Sequence, residues 1–189
     1  MIRLAGYLVS VLFTGALLAA GGVWIAISAI EPDLPDFAGL ADYEPPVLSR
    51  VYAATGEPIA QFAKQSRIFL PIEDVPDRVK AAFISAEDKN FYSHPGLDFS
   101  GLARAVAVDI AHVGSGRRPV GASTITQQVA KNLLLTSDQT ISRKVKEALL
   151  SLKIERVLSK DRILEIYLNE IFLGERSYGI AQALSLIHI

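Results

Sequence analysis

AFISAEDKNFYSHPGLD, residues 82–98, changes character in its middle. The first half has the apolar spacing of a helix, and Pro76 upstream suits a first helical turn. A helix is therefore expected over about 77–89, with Phe83, Ile84 and Ala86 on its buried side. The second half is polar, aromatic and turn-forming. Two adjacent acids, Glu87 and Asp88, sit at the change. A carboxylate there faces the negative end of the helix dipole, and its acidic neighbour adds like-charge repulsion. Both effects push Glu87 toward the raised pKa of a general base. A solvated helix end with Phe91 tucked into the core explains the same residues. For an isolated acid pair that is the commoner case.

Outward from this stretch the helical rhythm continues. Ser100 is expected to cap GLARAVAVDIAHV, which Gly114 and Gly116 end before a basic, glycine-rich loop, GSGRRPVG. In GASTITQQVAKN, residues 121–132, Ser123 or Thr124 caps a third helix, and Thr124 and Gln127 have capping-box spacing. Thr124, Gln127, Gln128 and Lys131 share one helical side. A helix N-terminus with a lysine a turn or two on suits a phosphate-bearing ligand, and the glutamines suit sugar or amide groups. A well-capped surface helix fits equally well.

RKVKEALLSLKIER, residues 143–156, places Arg143 and Glu147 at i,i+4, with Leu150 and Ile154 continuing that side toward the core. Nearby cations keep Glu147 charged, and Arg143, Lys144 and Lys146 can hold a diphosphate. A surface ion pair of little energetic weight is the competing reading. In KDRILEIYLNEIFLG, residues Ile163, Leu164, Tyr167, Leu168 and Ile171 are spaced as the buried face of a helix begun by Ser159 and closed by Gly174. Asn169 reads as a structural hydrogen-bonder.

Toward the N-terminus, SRVYA, a turn-like ATGEP and IAQFA read as a hairpin, and RIFLPI as a further extended piece. Residues 31–46 carry four prolines and read as a linker. Leu4–Ile30 contains no charge and exceeds the roughly 20 residues that span a bilayer core. Arg3 precedes it and Glu31, Asp33 and Asp36 follow, so the N-terminus is expected in the cytoplasm and the rest exported. Tyr7 and Trp24 are placed as interfacial rings. A cleaved signal peptide would have a shorter apolar core, so an uncleaved anchor is the expectation.

The 189 residues carry a net charge of −1 and no cysteine. That gives no push toward nucleic acid and excludes disulfides and thiolate metal sites. His112 and His188 have no ligand-like neighbours, and no cage of protein groups for a metal is evident.

Taken together, EDKNFYSHPGLD, GASTITQQVAKN, RKVKE, KDRILEIYLNEIFLG and SYGIAQA resemble, in order and spacing, the peptidoglycan glycosyltransferase domain (family 51) of class A, bifunctional-type penicillin-binding proteins. The resemblance covers roughly residues 47–183. It implies a mainly α, lysozyme-like glycosyltransferase domain (76–183) led by a small β-rich segment (47–75). A linker (31–46), one transmembrane helix (4–30) and a cytoplasmic stub (1–3) precede these. It implies polymerisation of lipid II into β-1,4 glycan with release of undecaprenyl diphosphate, by inversion at the donor's anomeric carbon.

By the same resemblance Glu87 is the general base, and Glu147 assists departure of the diphosphate, as an acid or by organising a divalent cation. The cationic neighbours of Glu147 favour the second role. Lys131, Arg143 and Lys144 match positions near the diphosphates. Asp88, Phe91, His94, Ser123, Thr124, Gln127, Gln128 and Asn132 match cleft positions, with Asp88 orienting Glu87 and His94-Pro95-Gly96 shaping the turn. Magnesium or manganese is implied, brought together with the lipid diphosphate. The implied partners are lipid II, the glycan strand, the membrane and other cell-wall synthesis proteins, at the periplasmic side of the inner membrane.

Gln139 departs from the arginine common there. LSLIHI, residues 184–189, lacks a cap or polar turn and reads as a translated sequencing adapter. With no Ser-x-x-K in the chain, the transpeptidase part is expected to lie outside it, and no penicillin binding is expected. A lysozyme-like lytic enzyme, which needs only an acid in a cleft, and an inactive anchored scaffold are the alternatives.

Overall fold

The computed structural model describes residues 2–43, 49–62, 66–112, 121, 123–138, 140–175 and 177–187. The basic loop 114–121, apart from Gly121, and Gln139 lie outside them. Helix α1 (Ile2–Ile30) presents exposed apolar side chains, Tyr7 and Trp24 among them. The stretch Ser10–Asp33 is long and apolar enough to cross a membrane.

Strands β1 (Ser49–Tyr52) and β2 (Pro58–Phe62) form the expected antiparallel hairpin, in register Arg50 to Gln61 and Val51 to Ala60. Its turn closes through Ala53 N–H to the Glu57 carbonyl at 2.7 Å, with Gly56 at φ 86°. Strand β3 (Ser66–Arg67) follows. Then come α2 (Asp77–Glu87), α3 (Phe99–Ala111), α4 (Ile125–Leu134), α5 (Ile141–Val157) and α6 (Lys160–Glu170), and finally β4 (Ser177–Tyr178) and α7 (Ile180–Ile187).

Helix α4 packs on both α5 and α6 around Ile125, Val129, Leu150, Ile154, Ile163, Leu164 and Leu168, all essentially sealed from solvent. Phe91 joins this core from the turn after α2. Helix α6 is buried all round from Ile163 to Glu170, so its polar residues need partners. The segment before α2 supplies them. Asn169 donates to the Leu70 carbonyl and accepts from the Leu70 N–H, both at 2.9 Å. Glu165 accepts from the Ile72 N–H at 2.9 Å, and Glu170 from the Tyr43 hydroxyl at 2.6 Å and from Arg67. Asn169 is thus the structural hydrogen-bonder expected.

Four local expectations change. Ala86 is exposed; Phe83 and Ile84 alone of the three pack on the core, because the C-terminal turn of α2 overhangs a cleft. Asp98, not Ser100, caps α3: its Oδ1 accepts from Gly101 N–H at 2.8 Å, while Ser100 donates to the same oxygen at 2.6 Å. Helix α6 ends at Glu170, three residues before Leu173, because Ile171 turns extended and the chain folds back to pair β4 in parallel with β3. Helix α7 then runs on through Leu184–Ile187, past the point where the sequence pattern predicts a stop.

Candidate active site

Glu87 is the last residue of α2, and its side chain stands exposed in a cleft of about 290 Å³ lined also by Asp88, Arg104, Ser123 and Thr124. Its Oε2 accepts a hydrogen bond from Gln128 Nε2 at 2.9 Å. Gln128 sits in the first turn of α4, so two helix ends meet at this carboxylate.

Asp88 does not face outward beside Glu87. It is buried, and its carboxylate meets His94 Nε2 at 2.9 and 3.0 Å and accepts from Ile125 N–H at 3.0 Å. His94 Nδ1 accepts from Gly96 N–H at 3.1 Å, so its proton lies on Nε2, toward Asp88. Asp88 is therefore committed to His94 and to the start of α4. It brackets the end of α2 to the first turn of α4.

Thr124 caps α4. Its Oγ1 accepts from Gln127 N–H at 3.2 Å, Gln127 Oε1 accepts from Thr124 N–H at 2.9 Å, and the Thr124 hydroxyl donates to the Gly96 carbonyl at 2.6 Å. The capping box read from spacing is real. It turns Thr124 and Gln127 inward, so the four residues read as one polar side split: Gln128 and Lys131 remain toward solvent.

Glu147 on α5 is 2% exposed, with one oxygen taken by Lys144 and the other by Arg143 at 3.2 Å. Lys144 also donates to the Ser123 hydroxyl at 2.7 Å. Arg143 Nε is buried and without a partner among the described residues. Ser123 lines both the Glu87 cleft and an adjoining, more apolar hollow of about 360 Å³ with Leu97, Phe99 and Leu102. Lys144 lines that hollow and a third, of about 730 Å³, with Lys131, Asn132, Thr140 and Arg143. The three hollows adjoin, the first two sharing Ser123 and the last two Lys144; the first holds Glu87 together with Lys89 and Arg104, and the last is lined by Lys131, Arg143 and Lys144. Of the expected cleft residues, Phe91 lies wholly in the core, and His94 is buried against Asp88 and lines none of these hollows.

Sequence reasoning missed Arg104, which lines the Glu87 cleft from α3. As the only cation in Phe99–Ala111, it was the available signal. Asp98 was missed too. The Ser100 hydroxyl, Gly101 N–H and Asn90 amide hold its carboxyl far below the usual carboxylate range. Beneath the cleft, burial and the charge of Glu87 push the Tyr167 phenol upward.

Among the described residues no group of three or more His, Cys, Asp or Glu could hold a metal ion. Glu147 has both oxygens engaged by cations, so these residues do not by themselves form a site for magnesium or manganese.

Residues 55–188 match the sequence model of the family described as Transglycosylase. The chain is 50% identical over 151 residues to a penicillin-binding protein 1A of Rickettsia conorii, covering 80% of this chain and 19% of that one. It is 50% identical over 165 residues to the Neisseria lactamica protein of that name, covering 87% and 20%, and 48% identical over 173 residues to that of Neisseria gonorrhoeae, covering 91% and 21%. The chain thus spans about a fifth of the length of these relatives. The mainly α architecture is the lysozyme-like fold of such domains. With its family match running from the second strand of the hairpin across the Glu87 cleft and the cationic hollow, the chain belongs to the transglycosylase family.

Proposed function

We propose that this chain is a peptidoglycan glycosyltransferase that polymerises lipid II into β-1,4 glycan strands and releases undecaprenyl diphosphate. The supporting observation is the row of adjoining hollows, linked by Ser123 and Lys144, that leads from the exposed Glu87 carboxylate to Lys131, Arg143 and Lys144. A glycan acceptor and a diphosphate leaving group need those two ends in that relation.

The 4-hydroxyl of the incoming lipid II sugar attacks the anomeric carbon of the growing strand. The carbon–oxygen bond to the diphosphate breaks with inversion, and the hydroxyl proton passes to Glu87. Gln128 holds one oxygen of that carboxylate, leaving the other without a partner among the described residues. The cations offset the negative charge that grows on the departing diphosphate. Glu147 acts by holding Arg143 and Lys144 against the groove, since both its oxygens are committed. A divalent cation, magnesium or manganese, would be held chiefly by the diphosphate and would further neutralise it.

The substrate is lipid-borne, so the enzyme works at a membrane surface. Helix α1 serves as a single-pass anchor in the inner membrane, N-terminus in the cytoplasm and the groove on the periplasmic side. The exposed apolar side chains of α3, including Phe99, Leu102 and Ile110, suit partial burial in the same membrane. The glycan strand and other cell-wall synthesis proteins are the partners of this reading, and nucleic acid is not.

Incubation with labelled lipid II and, separately, with preformed glycan tests it. Polymer from lipid II with the glycan untouched is expected. Shortened glycan would mean a lytic enzyme, and no change in either a scaffold.

A further inference from the structure

Behind the base lies a half-buried polar cluster that the proposed reaction does not use. Lys160, the first residue of α6, donates to the His94 carbonyl at 2.7 Å and to Glu155 at 2.7 Å. Its ammonium also stands 4.5 Å from the centre of the Phe91 ring. Glu155, on α5, accepts in turn from the Thr126 hydroxyl of α4 at 2.6 Å. The Glu155 side chain is 7% exposed and that of Lys160 20%. One ion pair therefore grips three places at once: the carbonyl of the turn after α2, an aromatic ring of that turn, and the first helical turn of α4.

The cluster leads to the base through hydrogen bonds and neighbouring residues of the chain. Lys160 fixes His94 by its carbonyl. The His94 ring fixes Asp88, and Asp88 fixes the Ile125 N–H. Glu87 is the residue before Asp88, and Gln128 lies three residues after Ile125. The hydrogen bond between Glu87 and Gln128 thus has its span set by the Asp88 bracket. Gly96 closes the arrangement: a Cβ there would stand 2.7 Å from the Ser151 carbonyl and 3.2 Å from Glu155 Cγ. The turn is pressed flat on α5 where Glu155 emerges.

We propose that Lys160 and Glu155 are positioning residues for the transfer reaction, holding Glu87 and Gln128 in working register through the Phe91–Gly96 turn and the start of α4. Neither touches the groove, so loss of either changes the placement of the base while leaving the diphosphate end intact. A misplacement of about 1 Å costs on the order of 100-fold in rate. This inference rests on the glycosyltransferase reading, so the unsubstituted chain is the reference in every measurement.

The experiment measures initial rates of lipid II polymerisation for the full chain and for Lys160→Met, Lys160→Arg, Glu155→Gln and Thr126→Val, with thermal melting of each. If the unsubstituted chain makes no polymer, the glycosyltransferase reading fails first, and this inference with it. If it does, Lys160→Met is expected to lower kcat by about 10- to 100-fold with KM within about twofold, and Lys160→Arg to recover most of it. Thr126→Val keeps the ion pair but frees it from α4, and is expected to lower kcat in the same direction by less. Folded variants with unchanged kcat, or with kcat and KM altered together and no recovery by arginine, overturn the proposal. If Lys160→Met does not fold, the Thr126→Val rate alone decides in the same way.

Discussion

Gly96→Ala is the sharpest stability test of the arrangement around the base. Gly96 has φ +102°, a conformation L side chains rarely adopt, and its Cβ would meet the Ser151 carbonyl oxygen at 2.7 Å and carbon at 2.9 Å. Those atoms are backbone of α5, a 17-residue helix packed into the core, so they cannot step aside cheaply. Gly174 provides the control: φ +93°, with nothing within 4 Å of its would-be Cβ. Gly174→Ala is expected to cost only the left-handed conformation, about 1–2 kcal/mol. Gly96→Ala adds overpacking of about 1–3 kcal/mol, for a total of roughly 2–5 kcal/mol. Against a total stability on the order of 5–15 kcal/mol, that is a large shift. Urea unfolding in detergent, followed by far-ultraviolet circular dichroism, gives both midpoints. A Gly96→Ala chain no less stable than Gly174→Ala would refute the claim that the turn is clamped on α5.

Two further substitutions separate structural from idle polar groups. Asp98→Ala removes the cap of α3 and is expected to cost about 1 kcal/mol by the same melt. Because the folded-state pKa of Asp98 is depressed, its contribution is present above the unfolded value of about 3.9 and is lost as pH falls below it; the substituted chain should therefore show a flatter acid limb. Tyr167→Phe deletes a buried hydroxyl without a partner among the described residues, so the chain should be unchanged or up to about 1 kcal/mol more stable; a clear loss would reveal a hidden acceptor.

How much of this was legible in the sequence follows from the range of each interaction. The hairpin, the Thr124–Gln127 capping box and the buried face of α6 depend on residues from a few to about a dozen positions apart, and local pattern found them. The parallel pairing of β3 with β4 joins residues 66–67 to 177–178, two residues each, too short for any period to show. The end of α6 was overrun because Ile171, Phe172 and Leu173 continue an apolar pattern that only the β4 return breaks. At the site, the acid pair was visible but not its division of labour. Asp88 turns inward because His94 and the Ile125 N–H lie behind it, and the latter comes from 37 residues away. Arg104 was hidden for the same reason: only packing brings its helix beside Glu87.

The central claim is that Glu87 takes the proton from the attacking hydroxyl. Glu87→Gln keeps the size of the side chain and an oxygen that can accept from Gln128, while removing the basic carboxylate. Polymerisation of labelled lipid II should fall by about 100- to 10,000-fold, with melting temperature and lipid II binding unchanged. A Glu87→Gln chain that polymerises at the unsubstituted rate would contradict the assignment.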